Sequence, residues 1–241
     1  MGICKIYTLN VNGFRQDEIS KLKRLINSIK ISDNDIFILQ EIPHKKLDSG
    51  TKPWTWHTLD KFNSFQKQFY DYEVIFPIHL INSNQCTVAI CTKSSKWKTM
   101  TTQNEKIRYN AKYEFGNKLI EVQFDNECQI SLLGLHMNPC EEMWNLLLSS
   151  EKGNRHTFIV GDFNAYEHRG EMCKKPSLLR DIDFLPLISS NIITYYEGNS
   201  SVDNIYISKE FKLQKDVVVK VEDISKIFRT DHALCSVEFD L

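Results

Sequence analysis

The apolar positions along the chain predict that it opens with a strand, a helix and a second strand. Residues 3–9 alternate in the way that a half-buried strand does. In the next segment the apolar residues fall at spacings of three and four, which is typical of an amphipathic helix. They are Ile19, Leu22, Leu25, Ile26 and Ile29. The apolar run within residues 35–41 then predicts a second strand, so the chain begins as an α/β unit.

Strands dominate the elements predicted after residue 70. Strand-like patterns cover residues 72–78, 85–93, 110–116, 118–124, 129–136, 157–160, 192–196, 203–208, 215–221 and 233–239. Several are separated by short turns, as in antiparallel meanders. Helices are predicted near residues 61–69, 141–150 and 177–187. We therefore predict a single α/β domain over residues 1–241. Its expected architecture is a four-layer sandwich of two mixed, mostly antiparallel sheets packed together and flanked by helices.

Hard polar residues border six of the apolar segments. The six sequences are L-N-V-N, L-Q-E, G-L-H-M-N, V-G-D-F-N, S-V-D-N-I-Y and T-D-H. Strand ends are where α/β scaffolds place ligands, because the sheet holds these positions rigidly. Carboxylate and amide oxygens are the ligands of hard cations such as Mg²⁺ and Mn²⁺. Two histidines add acid–base capacity near neutral pH. The pattern therefore predicts a metal-dependent site on strand ends, without zinc-thiolate chemistry.

Composition limits the classes of function that fit. The chain has 30 Lys and Arg against 31 Asp and Glu, which gives a net charge of −1. A positive field over the whole protein is therefore excluded, and any basic groove for nucleic acid must be local. The seven cysteines contain no C-x-x-C pair, as expected for reduced, buried residues in a cytosolic protein. No apolar run approaches membrane-spanning length, so we expect no membrane contact. We also expect a cytoplasmic protein, as the cysteines indicate, and a monomer.

The order of the polar motifs resembles the endonuclease/exonuclease/phosphatase superfamily, which has the fold of pancreatic-type deoxyribonuclease. L-N-x-N, Q-E, G-D-F-N and the closing D-H carry this resemblance, which extends from Leu9 to His232. The opening T-L-N-V-N-G is also similar to the endonuclease domains of LINE-type retrotransposons. The resemblance implies hydrolysis of phosphoester bonds with Mg²⁺ or Mn²⁺ as cofactor.

The resemblance implies a metal-binding role for four residues. Glu41 matches the principal metal-binding glutamate, and Asp231 matches an aspartate on the metal side. Asn10 matches an asparagine near the metal and the phosphate. Asn12 stands where relatives carry Asp or Asn, and it is expected to support the metal or its waters.

Five further residues are expected to act on the phosphate or on the attacking water. Asp162 matches the aspartate that orients or deprotonates the water, and Asn164 matches an asparagine that contacts water and phosphate. His232 is expected to touch the phosphate and to be oriented by Asp203. His136 matches the second histidine of the deoxyribonuclease-like and sphingomyelinase-like branches, where it stabilises the transition state or protonates the leaving group.

The chain departs from the family pattern in three places. Thr230 precedes Asp231 where serine is usual, which is a mild chemical change. The deoxyribonuclease branch has a glutamate that partners the equivalent of His136, and residues 76–88 offer no clear candidate. The abasic-site branch carries tyrosine at that position, so abasic-site cleavage is not favoured. Asn138 remains a candidate phosphate contact.

Two basic loops are candidates for shaping a substrate pocket. Residues 44–57 mix lysines with Trp54 and Trp56, which suits a nucleic-acid backbone with an unstacked base. The alternative is a surface loop whose tryptophans cover the core. Residues 166–175 follow G-D-F-N and contain Arg169 as a candidate substrate contact, with a solvated loop as the alternative.

Three functions compete. The leading hypothesis is a nuclease that hydrolyses DNA phosphodiester bonds, with RNA as a further candidate. A phosphatase or phosphodiesterase of a small phosphorylated molecule or lipid head group uses the same core, and the near-neutral charge slightly favours it. A catalytically idle binding protein is disfavoured because the polar set is complete. Fold alone does not decide the substrate.

Overall fold

The computed structural model describes residues 2–14, 18–43, 54–77, 85–100, 115–125, 130–138, 140–152, 156–165 and 167–241. For residues 54–60 and 167–173 the description covers the backbone alone. Within these ranges the strands are β1 (Ile3–Asn10), β2 (Ile36–Pro43), β3 (Tyr72–Ile75), β4 (Gln85–Thr92), β5 (Trp97–Thr99), β6 (Leu119–Phe124), β7 (Ser131–His136), β8 (Phe158–Asp162), β9 (Phe184–Pro186), β10 (Asp203–Ser208), β11 (Val217–Glu222) and β12 (Leu234–Asp240). The α-helices are α1 (Ile19–Ile29), α2 (Trp54–Gln68), α3 (Glu141–Glu151) and α4 (Lys209–Gln214), and 3-10 segments span Asn12–Phe14 and Glu167–Ile182.

The strands form two six-stranded sheets. The first sheet has the order β11-β12-β1-β2-β4-β3, and the second has the order β5-β6-β7-β8-β10-β9. β1 runs parallel to β2 and β7 runs parallel to β8. The other pairings among the described strands are antiparallel. The predicted α/β sandwich of two mixed, mostly antiparallel sheets is confirmed.

Alternation along each strand separates a shared core from two outer cores. Ile38 of β2 and Val160 of β8 belong to the apolar cluster between the sheets. Their neighbours in sequence point the other way, because successive strand residues face opposite sides. Leu39 packs into the cluster that contains α1 residues, and Ile159 packs into the cluster that contains α3 residues. Helices therefore cover the outer face of each sheet, which gives the four layers.

Most predicted elements are present with shifted ends. The amphipathic segment forms α1, and its apolar residues Ile19, Leu22, Leu25 and Ile26 are buried. The helix predicted from residue 61 begins earlier, at Trp54. The strand predicted at residues 110–116 lies almost entirely outside the described residues.

One predicted strand is wrong, and one predicted helix ends early. Residues 192–196 do not form a strand: the N–H groups of Thr194 and Tyr195 both donate to the carbonyl of Ser200, so a local turn satisfies this backbone. The helix predicted at residues 177–187 ends at Ile182. Asp183 has a φ of 63°, which takes the chain out of the helix and into β9.

The cysteines and the helices can be compared with what the composition predicted. Cys4, Cys86, Cys91 and Cys235 are buried, as expected, and Cys140 is partly exposed. The side chains of Cys128 and Cys173 lie outside the described residues. Among the helices that the structure describes, none is long and apolar enough to cross a membrane.

A charged group lies in the interior, away from the polar strand ends. His156 is fully buried, with its Nδ1 2.8 Å from Glu151 Oε2 and its Nε2 3.2 Å from Glu121 Oε1. The Nε2 contact is electrostatic and is not a well-directed hydrogen bond. Burial lowers the pKa of His156, but the two carboxylates outweigh burial and raise it from 6.5 to about 9. The imidazolium therefore links the end of α3 to β6.

We expect His156→Leu to lower the free energy of unfolding by about 3 kcal/mol or more, because it leaves two buried carboxylates without a cation. Urea unfolding at pH 7 measures this change. Since the folded-state pKa of His156 is raised, its stabilisation is complete below pH 6.5 and is lost as pH rises through about 9. Adding Glu121→Gln and Glu151→Gln should recover most of the loss. A triple variant as unstable as the single one would contradict this electrostatic account.

Candidate active site

The parallel strands of each sheet bring polar residues to the same edge of the sandwich. In the first sheet, Asn10 of β1 pairs with Gln40 of β2, and Glu41 follows directly. In the second sheet, Asp162 of β8 pairs with His136 of β7 on one side and with Asp203 of β10 on the other. Strand register therefore places His136, Asp162 and Asp203 side by side.

Side-chain contacts join the two sheets at this edge. The Asn10 amide nitrogen donates to Asp162 Oδ2 at 3.0 Å and lies 3.3 Å from Glu41 Oε1. Asn10 Oδ1 accepts the backbone N–H of Asn12 at 2.9 Å. The Asn12 amide nitrogen in turn donates to Asp231 Oδ1 at 2.7 Å. The two asparagines therefore hold three carboxylates in position.

Two backbone features aim the acidic side chains. Gly161 has a φ of 141°, and a Cβ there would lie 1.9 Å from the Leu135 carbonyl oxygen. Glycine before Asp162 is therefore required by the close approach of β7 and β8. Glu41 has a φ of 59° and lies where the pairing of β2 with β4 shifts register between Leu39 and Ile42. Such bulges redirect a side chain, here toward the sheet edge.

His232 lies in a charged, enclosed setting. Its Nδ1 is 2.9 Å from Asp203 Oδ2, and its Nε2 is 3.8 Å from Asp231 Oδ1. Burial lowers the pKa of His232, but Asp203, Asp162 and Asp231 together raise it to about 10. The Tyr195 ring covers the imidazole, with the centroids 4.9 Å apart. His232 is therefore an imidazolium at neutral pH.

Thr230 supports the same region through its hydroxyl group. Its Oγ1 donates to the Asn10 carbonyl at 2.7 Å and accepts the His232 N–H at 3.2 Å. Because serine carries the same hydroxyl group, the departure from the family pattern at this position keeps the chemistry.

His136 differs from His232 in charge. Its Nδ1 lies 2.9 Å from the Nζ of Lys118, and its Nε2 lies 3.6 Å from Glu41 Oε1 and 3.9 Å from Asp162 Oδ2. Burial, Lys118 and His232 hold the pKa of His136 well below 6.5. An ammonium group has only donors, so Nδ1 accepts and the proton of the neutral ring sits on Nε2. His136 therefore presents a neutral N–H donor to the carboxylates.

Asp162 lies between the two histidines and is almost fully buried. Burial, and then the negative charge of Asp203, raise the pKa of Asp162 to about 7, against the opposing effect of His232. Its Oδ1 accepts the backbone N–H of Asn164 at 2.8 Å. A carboxylate with this pKa exchanges a proton readily near neutral pH.

The side chains at this edge suit a hard divalent cation. Glu41, Asp162 and Asp231 converge there through the contacts described above, and carboxylate oxygens are what Mg²⁺ and Mn²⁺ prefer. Ligand atoms of Asp162, Asp203 and His232 also lie within 4.8 Å of one another. These three residues lie close together partly because His232 Nδ1 and Asp203 form a hydrogen bond. The buried Oδ1 of Asp203 accepts no hydrogen bond from the residues that the structure describes.

The remaining predicted site residues have mixed outcomes. Asn164 lies beside Asp162, and its amide nitrogen donates to the Met137 carbonyl at 2.8 Å. Asn138 follows β7 by two positions and is partly buried. The side chain of Arg169 lies outside the described residues, as does most of the basic loop at residues 44–57.

Sequence reasoning missed several residues that touch the site. Lys118 contacts His136, for which the sequence offered no clear glutamate partner, and Gln85 Nε2 donates to Glu41 Oε2 at 3.1 Å. Thr194 Oγ1 accepts the N–H of Asp203 at 2.9 Å. The pairing of β6 with β7 would have indicated Lys118. Leu119 pairs with Leu135, so Lys118, one position earlier, faces His136.

We expect Lys118→Met to lower the turnover number by about 10–100-fold, as loss of a residue that orients a site histidine typically does. The variant should also raise the pKa of His136, because one cause of its depression is removed. Nitrogen-15 NMR of the imidazole measures both the pKa and the tautomer. Lys118→Arg keeps a cationic donor and is the matched control; an unchanged His136 spectrum in Lys118→Met would contradict the assignment.

The sheet order and the strand-edge site define a class of fold: the chain has the DNase I-like fold of the endonuclease/exonuclease/phosphatase proteins. One similar structure is the endonuclease domain of TRAS1, a telomere-specific non-LTR retrotransposon, with a TM-score of 0.67 and 12% identity over 100% of this chain and 99% of that one. Another is an AP endonuclease from Archaeoglobus fulgidus, with a TM-score of 0.65 and 15% identity over 99% and 100% of the two chains. A 3′-5′ exonuclease from Neisseria meningitidis has a TM-score of 0.63 and 17% identity over 98% and 100%.

Comparison by sequence adds nothing to this result. No protein-family model matches the chain, and no curated protein matches it. The predicted resemblance is therefore confirmed at the level of the fold.

Proposed function

We propose that the protein is a divalent-metal-dependent phosphoesterase that hydrolyses phosphodiester bonds of nucleic acid, with DNA as the favoured substrate. The observation that carries this proposal is the convergence of three carboxylates and two buried histidines at one edge of the sandwich. The pKa of His232 is raised to about 10, and that of His136 is held well below 6.5. Environments that shift the pKa values of two titratable groups in opposite directions are typical of catalytic sites.

Glu41 and Asp231 are the proposed holders of Mg²⁺ or Mn²⁺. Asn10 and Asn12 keep these carboxylates in place through the hydrogen bonds of their amide nitrogens. When bound, the ion neutralises charge on a phosphate oxygen and on the leaving oxygen.

The chain's own side chains supply the remaining chemistry. Asp162 aligns the attacking water and takes its proton, for which a pKa of about 7 is well suited. The His232 imidazolium donates from Nε2 to a phosphoryl oxygen whose charge increases in the transition state. The Nε2–H group of neutral His136 is a hydrogen-bond donor on the other side of Asp162, and it adds no charge to the site. Asn164 and Asn138 are the proposed phosphate contacts, and Arg169 is proposed to reach the substrate farther out.

The names of the similar structures support a nucleic-acid substrate. They include a retrotransposon endonuclease, an exonuclease and an AP endonuclease. A second candidate substrate, a small phosphoester or lipid head group, is favoured by the net charge of −1, since an extended polyanion gains little from a neutral protein.

The test incubates the purified protein with supercoiled plasmid and, in parallel, with bis(p-nitrophenyl) phosphate, each in Mg²⁺, Mn²⁺ or EDTA. Metal-dependent nicking of the plasmid is the expected result. Hydrolysis of the small ester without nicking would contradict the nucleic-acid substrate and would favour the second candidate. A folded protein inactive on both substrates and on a panel of phosphorylated small molecules would contradict phosphoester hydrolysis itself.

A further inference from the structure

A groove of about 960 Å³ is lined by residues of β9 and β10 and of the segments that precede these strands. Phe163, Val202 and Asn204 are among its lining residues. These residues are sequence neighbours of Asp162 and Asp203, and the Phe163 N–H donates to the Val202 carbonyl at 2.8 Å. One end of the groove is therefore built by the same two backbone segments that carry the catalytic aspartates.

The groove has a positive lining. Lys174 and Arg180 contribute two cations, and no Asp or Glu occurs among the described residues that line it. Most of its other polar lining comes from serine and asparagine, which donate hydrogen bonds without charge. The chain as a whole has a net charge of −1, so this lining is a local departure from neutrality. Such a departure is what a near-neutral protein needs to bind a polyanion.

The apolar part of the lining includes an exposed residue. Ile193 lines the groove and is 41% exposed. The neighbouring Ile192 is 40% exposed and does not line the groove. An exposed aliphatic side chain beside two cations suits a ligand that alternates charged and apolar parts, as phosphates and bases alternate along a nucleic-acid strand.

We propose that this groove binds the single strand of nucleic acid that continues from the phosphate under attack. Phosphates of the strand lie at Lys174 and Arg180, and a base or sugar lies against Ile193. The inference rests on the proposed function and deepens it, because it makes the substrate a polynucleotide strand and not an isolated phosphoester. The volume is at the upper end of the range of ligand pockets, about 300–1,000 Å³, which leaves room beyond the reacting phosphate.

The chain supplies a matched control for the charge test. Lys175 follows Lys174 directly, but Lys175 does not line the groove. Binding is measured by fluorescence anisotropy with a labelled single-stranded DNA of about twelve nucleotides, in EDTA so that no cleavage occurs. The proteins compared are the wild type, the Lys174→Gln/Arg180→Gln double variant and Lys175→Gln, each over a series of salt concentrations.

The double variant is expected to bind about tenfold more weakly, and its slope of log affinity against log salt should be shallower by about 1.4, for two lost phosphate contacts on a single strand. Lys175→Gln should keep the wild-type slope. Ile193→Ser should weaken binding about fivefold through lost apolar contact, whereas Ile192→Ser should not. Wild-type affinity and slope in the double variant, or an equal loss in Lys175→Gln, would overturn the proposal.

Hydrolysis of bis(p-nitrophenyl) phosphate separates this inference from the proposed function. The groove variants should hydrolyse the small ester at the wild-type rate, because the ester does not extend into the groove. Ester hydrolysis combined with unchanged DNA binding in the double variant would refute the groove and leave the phosphoesterase intact. A wild-type protein that hydrolyses nothing refutes the proposed function, and the binding series still decides whether the groove holds a strand.

Discussion

Asp162→Asn is expected to lower the turnover number by about 10²–10⁴-fold, the range usual for loss of a general base. The substitution keeps the size of the side chain, but it removes the carboxylate that aligns and deprotonates the water. The single amide oxygen can accept from the Asn10 amide or from the Asn164 N–H, but not from both. Asp162 is buried, and its pKa of about 7 depends on that burial and on Asp203. Turnover of bis(p-nitrophenyl) phosphate in saturating Mg²⁺ is the measurement.

A loss of turnover in Asp162→Asn caused by misfolding must be distinguished from one caused by the missing carboxylate. Asp125→Asn, at an exposed position away from the strand edge, is the matched control and should retain wild-type turnover. Thermal unfolding of Asp162→Asn should show a cooperative transition close to that of the wild type, since the removal of a buried charge offsets the loss of one hydrogen bond. Near-normal turnover in a folded Asp162→Asn protein would refute the role of this aspartate.

His232→Gln is expected to cost a similar 10²–10⁴-fold, roughly, because it removes the cationic donor to the phosphoryl oxygens. Asp203→Asn should reproduce much of this loss without touching the substrate. Asp203 is the largest of the causes that raise the pKa of His232, so that pKa should fall from about 10 in the variant. Nitrogen-15 NMR measures the pKa, and turnover measures the consequence.

The two residues are expected to act as one unit. If Asp203 works through His232, the double variant His232→Gln/Asp203→Asn should lose no more activity than His232→Gln alone. Fully multiplicative losses would instead mean that Asp203 contributes independently, for example at the metal. An unchanged His232 pKa in Asp203→Asn would contradict the link between them.

The spacing of apolar residues predicted much of the fold correctly. The apolar spacing in residues 19–29 predicted α1, and the strand patterns before G-L-H and G-D-F-N predicted β7 and β8. These elements follow local rules, because burial of one face imposes a period on the sequence. The segment 192–196 has the same apolar character and was wrongly predicted as a strand. Its backbone is satisfied by Ser200 in a local turn, which no periodicity reveals.

The contacts between site residues were harder to predict from the sequence than the strands and helices. The sequence offered no clear glutamate partner for His136, and in the structure Lys118 contacts the ring from the turn before β6. The motifs do not supply this pairing, which can be inferred only once β6 and β7 are paired in the correct register. The consequence is chemical, because a cation in place of an anion leaves His136 neutral.

By itself the sequence determined the kinds of side chain, their order and the strands that end in them. Tertiary structure decided which of them meet and what charge each carries. Asn10 and Asp162 are 152 positions apart and bond at 3.0 Å because two sheets pack with their polar edges aligned. The pKa of Asp162, and the opposite charges of His136 and His232, arise from burial and from neighbours that packing supplies. The protonation state of each of these side chains depends on its three-dimensional surroundings, which no local segment of the sequence determines.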